Sequence, residues 1–288
     1  MKISSYERRA IEQASESVLL GRAFDRAQEC FAEEEINPND FVKFYGEKDV
    51  QKNLEWVSCR KKQFAENSAG DKAKKESEMQ AVVLEAILTE QIELSNWFGE
   101  KACAIKSSEY DDIANGVDTI LEFEKGEKDE VLPVVALDVT YGDRVESKMQ
   151  RIKEEIEIDK LTDIKYFKST RLNKKAKDGL HNVPRVIVGV DSKAAKELID
   201  LWMDKDKKAL AEHPVQLQIL EQTRMQLEAF EIFARKIGNE KSAEILKRRR
   251  EIIEKVLEKK ETELGVNIDF ENDKVFSAID KGLINFTK

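Results

Sequence analysis

Apolar residues recur at helical spacing through the first part of the chain. Ala10, Ile11, Ala14, Val18, Phe24 and Ala27 mark an amphipathic helix over 5–31. The Asn37-Pro38-Asn39 break ends that region, and a second helical stretch runs over 50–64. The polar segment Glu66–Ser77 reads as a linker, and a strong helix is expected over 78–98. The period then changes. Short β-branched and apolar runs at 102–106, 117–124 and 131–141 predict three strands. An amphipathic helix opens at Gly142-Asp143 and carries Val145, Met149, Ile152 and Ile156 as its inner stripe. The run IKYFKS (164–169) and the apolar run PRVIVGVD, ending at Asp191, predict further strands. Ser192 is then expected to cap a helix over 193–203. From Pro214 two long helices hinge at Gly238-Asn239 and end near Gly265, with a short helix over 273–281. The order predicts a mixed α/β core at 77–205, between a helical region at 1–76 and a helical extension at 206–288.

Composition narrows the picture. The 288 residues are 37% charged with a net charge of −9, and no run approaches the ~20 apolar residues of a membrane span. A soluble protein outside the membrane is expected. The first residues lack the apolar run of a signal peptide, so the expected location is cytoplasmic. Cys30, Cys59 and Cys103 are too few and too scattered for a disulfide framework or a zinc site. The two histidines, His181 and His213, have no evident Ser or Cys partner, and neither a phosphate-binding glycine loop nor a GxSxG elbow occurs.

The chemistry concentrates in the second and third strands. GVDTILEF and VLPVVALDVTYG each place one aspartate, Asp118 and Asp138, among residues that favour burial. A buried carboxylate costs several kcal/mol unless it is paired, hydrogen-bonded or bound to a metal. A hairpin centred near Lys128 sets Asp118 opposite Asp138, with β-carbons about 4.5–5.5 Å apart. Val117, Leu121 and Phe123 would then share a face with Val135, Leu137 and Val139. Asp118 and Glu122 would share the other with Asp138 and Thr140. Such a pair suits a hard divalent cation, Mg²⁺ or Mn²⁺.

The order of helix, three strands, helix and strands resembles the core of the PD-(D/E)XK nuclease superfamily over roughly 78–191, a restriction-endonuclease-like αβββαβ arrangement. The resemblance makes Asp118 the first metal-binding aspartate and Asp138 the acid of the (D/E)XK element. It departs at Thr140, which stands where the motif has lysine. Lys148, flanking the inner stripe of the following helix, is the expected substitute, with Lys165 and Lys168 as alternatives. The family's helix-borne glutamate falls on Glu90, with Glu85 and Glu93 as alternatives. Asp111 and Asp112 are expected to cap a turn ahead of Gly116, with Asp112 a possible neighbour of the metal. The activity implied is Mg²⁺-dependent hydrolysis of DNA.

Between Lys160 and Arg185 eight Lys/Arg stand against two acids, which makes Lys165, Lys168, Arg171, Lys174 and Lys175 the expected phosphate contacts. The cluster Lys247-Arg248-Arg249-Arg250 reads as a solvated helix face. Two other classes stay open. One is a nuclease-like binding or scaffolding module without catalysis. The other is a helical interaction protein, dimeric through its C-terminal helices.

Overall fold

A computed structural model describes residues 5–124, 133–142, 144–172, 174–266, 270 and 272–287, with side chains from residue 15 onward except at 33. The long first helix forms as the periodicity predicts, α1 (Ser5–Glu34). A 3-10 turn at Pro38–Phe41, capped by the Asn37 side chain, and α2 (Val42–Tyr45) lead to α3 (Glu47–Asn67). The expected linker is largely helical: only 68–71 separates α3 from α4 (Lys72–Leu94), because Asp71 caps the new helix by accepting from Lys74 N. The capping aspartate, rather than the polar composition around it, sets this boundary.

β1 (Ala102–Lys106) has the expected limits, and α5 (Glu109–Asn115) occupies the segment read as a turn. Ser108 caps α5, its hydroxyl accepting from Asp111 N and donating to the Asp111 carboxylate, and Gly116 ends it in a left-handed conformation. β2 (Thr119–Phe123) and β3 (Val134–Tyr141) follow; the loop centre Lys128 lies outside the described residues. α6 (Glu146–Glu157) buries Met149, Ile152 and Ile156 as predicted. The expected strand at 164–169 is two short pieces, β4 (Thr162–Ile164) and β5 (Lys168–Ser169). β6 (Lys174–Lys175) and β7 (Leu180–Val183) complete two small ribbons. β8 (Arg185–Val190) returns to the main sheet, and α7 (Ser192–Met203) leaves it. Asp191, rather than Ser192, is the cap of α7, accepting from Lys193 N and Ala194 N. α8 (Lys207–Ala211), α9 (Val215–Lys236), α10 (Glu240–Leu264) and α11 (Lys274–Thr287) form the rest.

The main sheet has the order β1-β2-β3-β8, antiparallel except for the parallel β3–β8 pair. Both faces are covered, so β2 and β3 are almost wholly buried and do not alternate inside with outside. Leu121, Phe123, Val135, Leu137 and Val139 belong to a large core shared with α1, α4, α7, α9, α10 and α11. Val117, Ile120, Val134 and Ala136 belong to a second core with Phe41, Val50 and Tyr166. Val117 thus lies opposite the face expected for it, because the strand proper starts two residues later.

β8 is an edge strand, and its free edge is closed by side chains. Gln226 of α9 accepts from Ile187 N and donates to Ile187 O; Gln222 does the same at Gly189. The two amides reproduce the bonds that a further strand would make. The apolar stripes of α9 are covered within the chain, by β8, α10 and α11. Half of the basic cluster on α10 is solvated as expected, Lys247 and Arg248 being 42% and 47% exposed, while Arg250 bridges Glu231 and Glu254 and buried Arg249 donates to Val134 O. Among the described residues, no helix is long and apolar enough to cross a membrane.

Candidate active site

The β2–β3 register pairs Thr119 with Leu137. Continued by one residue, it sets Asp118 opposite Asp138, as the sequence symmetry predicts. Both side chains lie at the end of the sheet where α5 enters. Asp138 is buried, and its two carboxylate oxygens take different cations. Lys148 of α6 binds Oδ1, and its ammonium also approaches Val139 O at 3.4 Å. Arg185, the first residue of β8, lies 3.5 Å from Oδ2 and 2.9 Å from Glu155. Gly116 makes this possible: a β-carbon there would sit 2.6 Å from the Arg185 guanidinium.

Asp118 accepts from Val139 N at 2.6 Å. Burial pushes its carboxyl well above the ordinary range, and the negative charges of Asp112 and Asp138 push it further. Asp112 hydrogen-bonds Asp118 and is itself raised, by burial first, while its side chain keeps 39% of its surface exposed. It therefore stands at the mouth of the site. Asp112 is the neighbour foreseen among the alternatives. Asp111 is wholly structural, accepting from Lys165 N, Tyr166 N, Ser108 and Asn115.

Of the α4 glutamates, Glu85 is the one that lies beside the site, and Glu90 does not. Glu85 is buried and forms a 2.6 Å ion pair with Lys106. Burial pushes it up to about 7, with the nearby charge of Asp118 adding to the rise and Lys106 opposing it. Glu90 points away to accept from Trp202 Nε1 and pair with Arg26, joining α4 to α1 and α7. Glu93 accepts from Ala104 N on the β1 edge. Glu122, on the Asp118 face as expected, is also structural, since Ser169 and Thr170 N donate to it.

Lys106 was missing from the sequence expectations. It ends β1 inside the site, buried, within reach of Glu85, Asp112 (3.7 Å) and the Asp118 carbonyl (3.4 Å). Burial acts to lower its pKa, but Glu85, Asp112 and Asp118 outweigh it and hold the ammonium charged. Thr140 is buried beside Gly189, whose hydrogen is needed because a β-carbon would lie 2.2 Å from Thr140 O.

The alternative lysines lie elsewhere. Lys165 pairs with Asp49 and packs over Tyr45, Tyr110 and Tyr166. Lys175 pairs with Asp40, so two of the five expected phosphate contacts are engaged within the chain. Lys168, Arg171 and Lys174 are exposed.

The donor set of the site is all oxygen. Two carboxylates opposed on neighbouring strands, one raised by burial and then by its negative neighbours, match the one or two carboxylates with which hard Mg²⁺ binds. Asp112 lies against Asp118, and Glu85 is held apart in its ion pair with Lys106. Among the described residues, no three His, Cys, Asp or Glu side chains are grouped to hold a metal. No described protein family, no curated protein and no solved structure matches the chain.

Proposed function

We propose that the chain is a Mg²⁺-dependent nuclease with a PD-(D/E)XK-like core, acting on DNA. The observation that carries this reading is the opposed Asp118–Asp138 pair, with the Lys148 ammonium on Asp138. The order α4, β1–β3, α6, β8 agrees with that family's core. Asp118 and Asp138 would hold the ion, which supplies Lewis-acid activation of the scissile phosphate and of a bound water. The protein's own groups do the rest. Lys148 orients the attacking water or balances charge developing on phosphorus, the role that Thr140 cannot fill. Arg185 holds Asp138 in place, and Lys106 offsets part of the repulsion among Glu85, Asp112 and Asp118. Lys168, Arg171 and Lys174 offer sequence-independent contacts to the phosphate backbone.

Calorimetric titration with Mg²⁺ or Mn²⁺, followed by a cleavage assay on mixed DNA substrates, tests the reading. Asp118→Asn and Asp138→Asn are each expected to lose ion binding with the fold intact by circular dichroism. Lys148→Ala is expected to keep ion binding and lose cleavage by about 100-fold or more. A parent protein that neither binds the ion nor cleaves DNA sinks the proposal.

One observation favours a second reading, a nuclease-like binding module without catalysis. Glu85 and Asp138 are already met by Lys106, Lys148 and Arg185, which offsets part of the site's negative charge without an ion. DNA binding that persists in EDTA, with no cleavage in any metal, would select it.

A further inference from the structure

Along α3, Lys52, Trp56, Arg60 and Phe64 follow one another at four-residue spacing and form one exposed stripe. Trp56 is 38% exposed and Phe64 46%. Arg60 lies between them, 5.9 Å from the Trp56 ring and 5.5 Å from the Phe64 ring. The stripe thus presents alternating cationic and aromatic groups, pre-ordered by their mutual stacking.

Its surroundings are basic. From Arg60 to Lys75, across the end of α3 and the start of α4, six cations (Arg60, Lys61, Lys62, Lys72, Lys74, Lys75) stand against Glu66 and Asp71, with Lys61 paired to Glu109 and Lys72 to Glu76. The six cations, Glu66 and Asp71 are all exposed, in a chain whose net charge is −9. Trp56 also packs against Tyr110 of α5, with centroids 5.7 Å apart. From Trp56 to Phe64 the helix rises about 12 Å, the span of about three stacked bases.

We infer that Lys52, Trp56, Arg60 and Phe64 form a stacking ledge for single-stranded nucleic acid. Bases lie on the two rings while the phosphates meet Lys52, Arg60 and the neighbouring lysines. A duplex hides its base faces and gains only the phosphate contacts, so the ledge selects an unpaired strand. The inference rests on the nuclease reading for what happens to the strand, but the binding itself does not need a metal.

Trp56 provides its own probe, because the other two tryptophans, Trp97 and Trp202, are buried at 0% and 1% exposure. A short oligodeoxythymidylate titrated in EDTA is expected to quench the exposed component of the tryptophan emission, with affinity falling as salt is raised. Phe64→Ala and Arg60→Ala are each expected to weaken binding about tenfold. Both positions are exposed, and unchanged circular dichroism verifies folding. No quenching, quenching unaltered in both variants, or equal quenching by a duplex overturns the ledge. The cleavage assay fails or succeeds independently. Quenching without cleavage in Mg²⁺ retains the ledge and removes the nuclease; cleavage without quenching does the reverse.

Discussion

On α4, Glu85 and Glu90 lie five residues apart, a rotation of about 140° that turns their carboxylates to opposite sides of the helix. A wheel cannot say which of them meets the site, because Val83 to Ile92 is buried on nearly every side apart from Glu90. Both are acids within an apolar stretch, and only the position of β1 decides between them. Lys106 was hidden for a similar reason: at the end of ACAIK it reads as an ordinary charged strand terminus. Asp118 and Asp138 were legible because two apolar strands flanking a polar loop fix a register by symmetry. The Glu85 environment has a pH signature. Its ordinary value of 4.5 is raised to about 7 in the folded chain, so between those values the folded state holds a proton that the unfolded state has lost. Stability therefore declines as pH rises through that window and levels off above it. In urea titrations at pH 5 and pH 8, Glu85→Gln is expected to reduce the decline by about 3 kcal/mol. A variant with the parental slope would dissociate Glu85 from the effect. Glu90→Ala should leave the slope unchanged and cost about 1–2 kcal/mol at both pH values, through the lost Trp202 and Arg26 partners.

At the scale of elements, the strands were the most legible part and the short helix α5 the least. EYDDIAN is only seven residues and acidic, and its helix depends on the Ser108 cap and on Asp111 reaching the backbone of Lys165 and Tyr166, neither of which a periodicity reveals. The closure of β8 left a trace that can be recognised afterwards. Gln218, Gln222 and Gln226 recur every four residues inside a helix that is otherwise apolar on that side. Such amides need backbone partners once buried. Gln226→Leu would strand the N–H and C=O of Ile187 together, and a loss of about 2–4 kcal/mol is expected in chemical denaturation. A loss under about 0.5 kcal/mol would mean that water replaces the amide and that the edge is less sealed than its geometry implies.

Over the whole molecule, Leu20, Ala23, Ala27 and Phe31 of α1 share one core with the sheet and with Phe230, Leu246 and Phe286 of the last three helices. Among the described residues, the first helix and the last three thus pack into one apolar core with the sheet. Scanning calorimetry is expected to give a single transition with equal calorimetric and van't Hoff enthalpies; two resolved transitions would refute that cooperativity. This continuity was not legible from composition, since the polar stretch before α4 looks like a boundary and is mostly helix. The closed edge of β8 has a temporal consequence. A ribosome completes β8 before Gln222 and Gln226 exist, and at about 5–20 residues per second the nascent sheet waits several seconds for its cover. During that interval the row of unpaired groups from Ile187 to Gly189 can pair with any other emerging strand. The C-terminal helices thus act late in synthesis as a stopper, ending a period in which the half-made protein is open to aggregation.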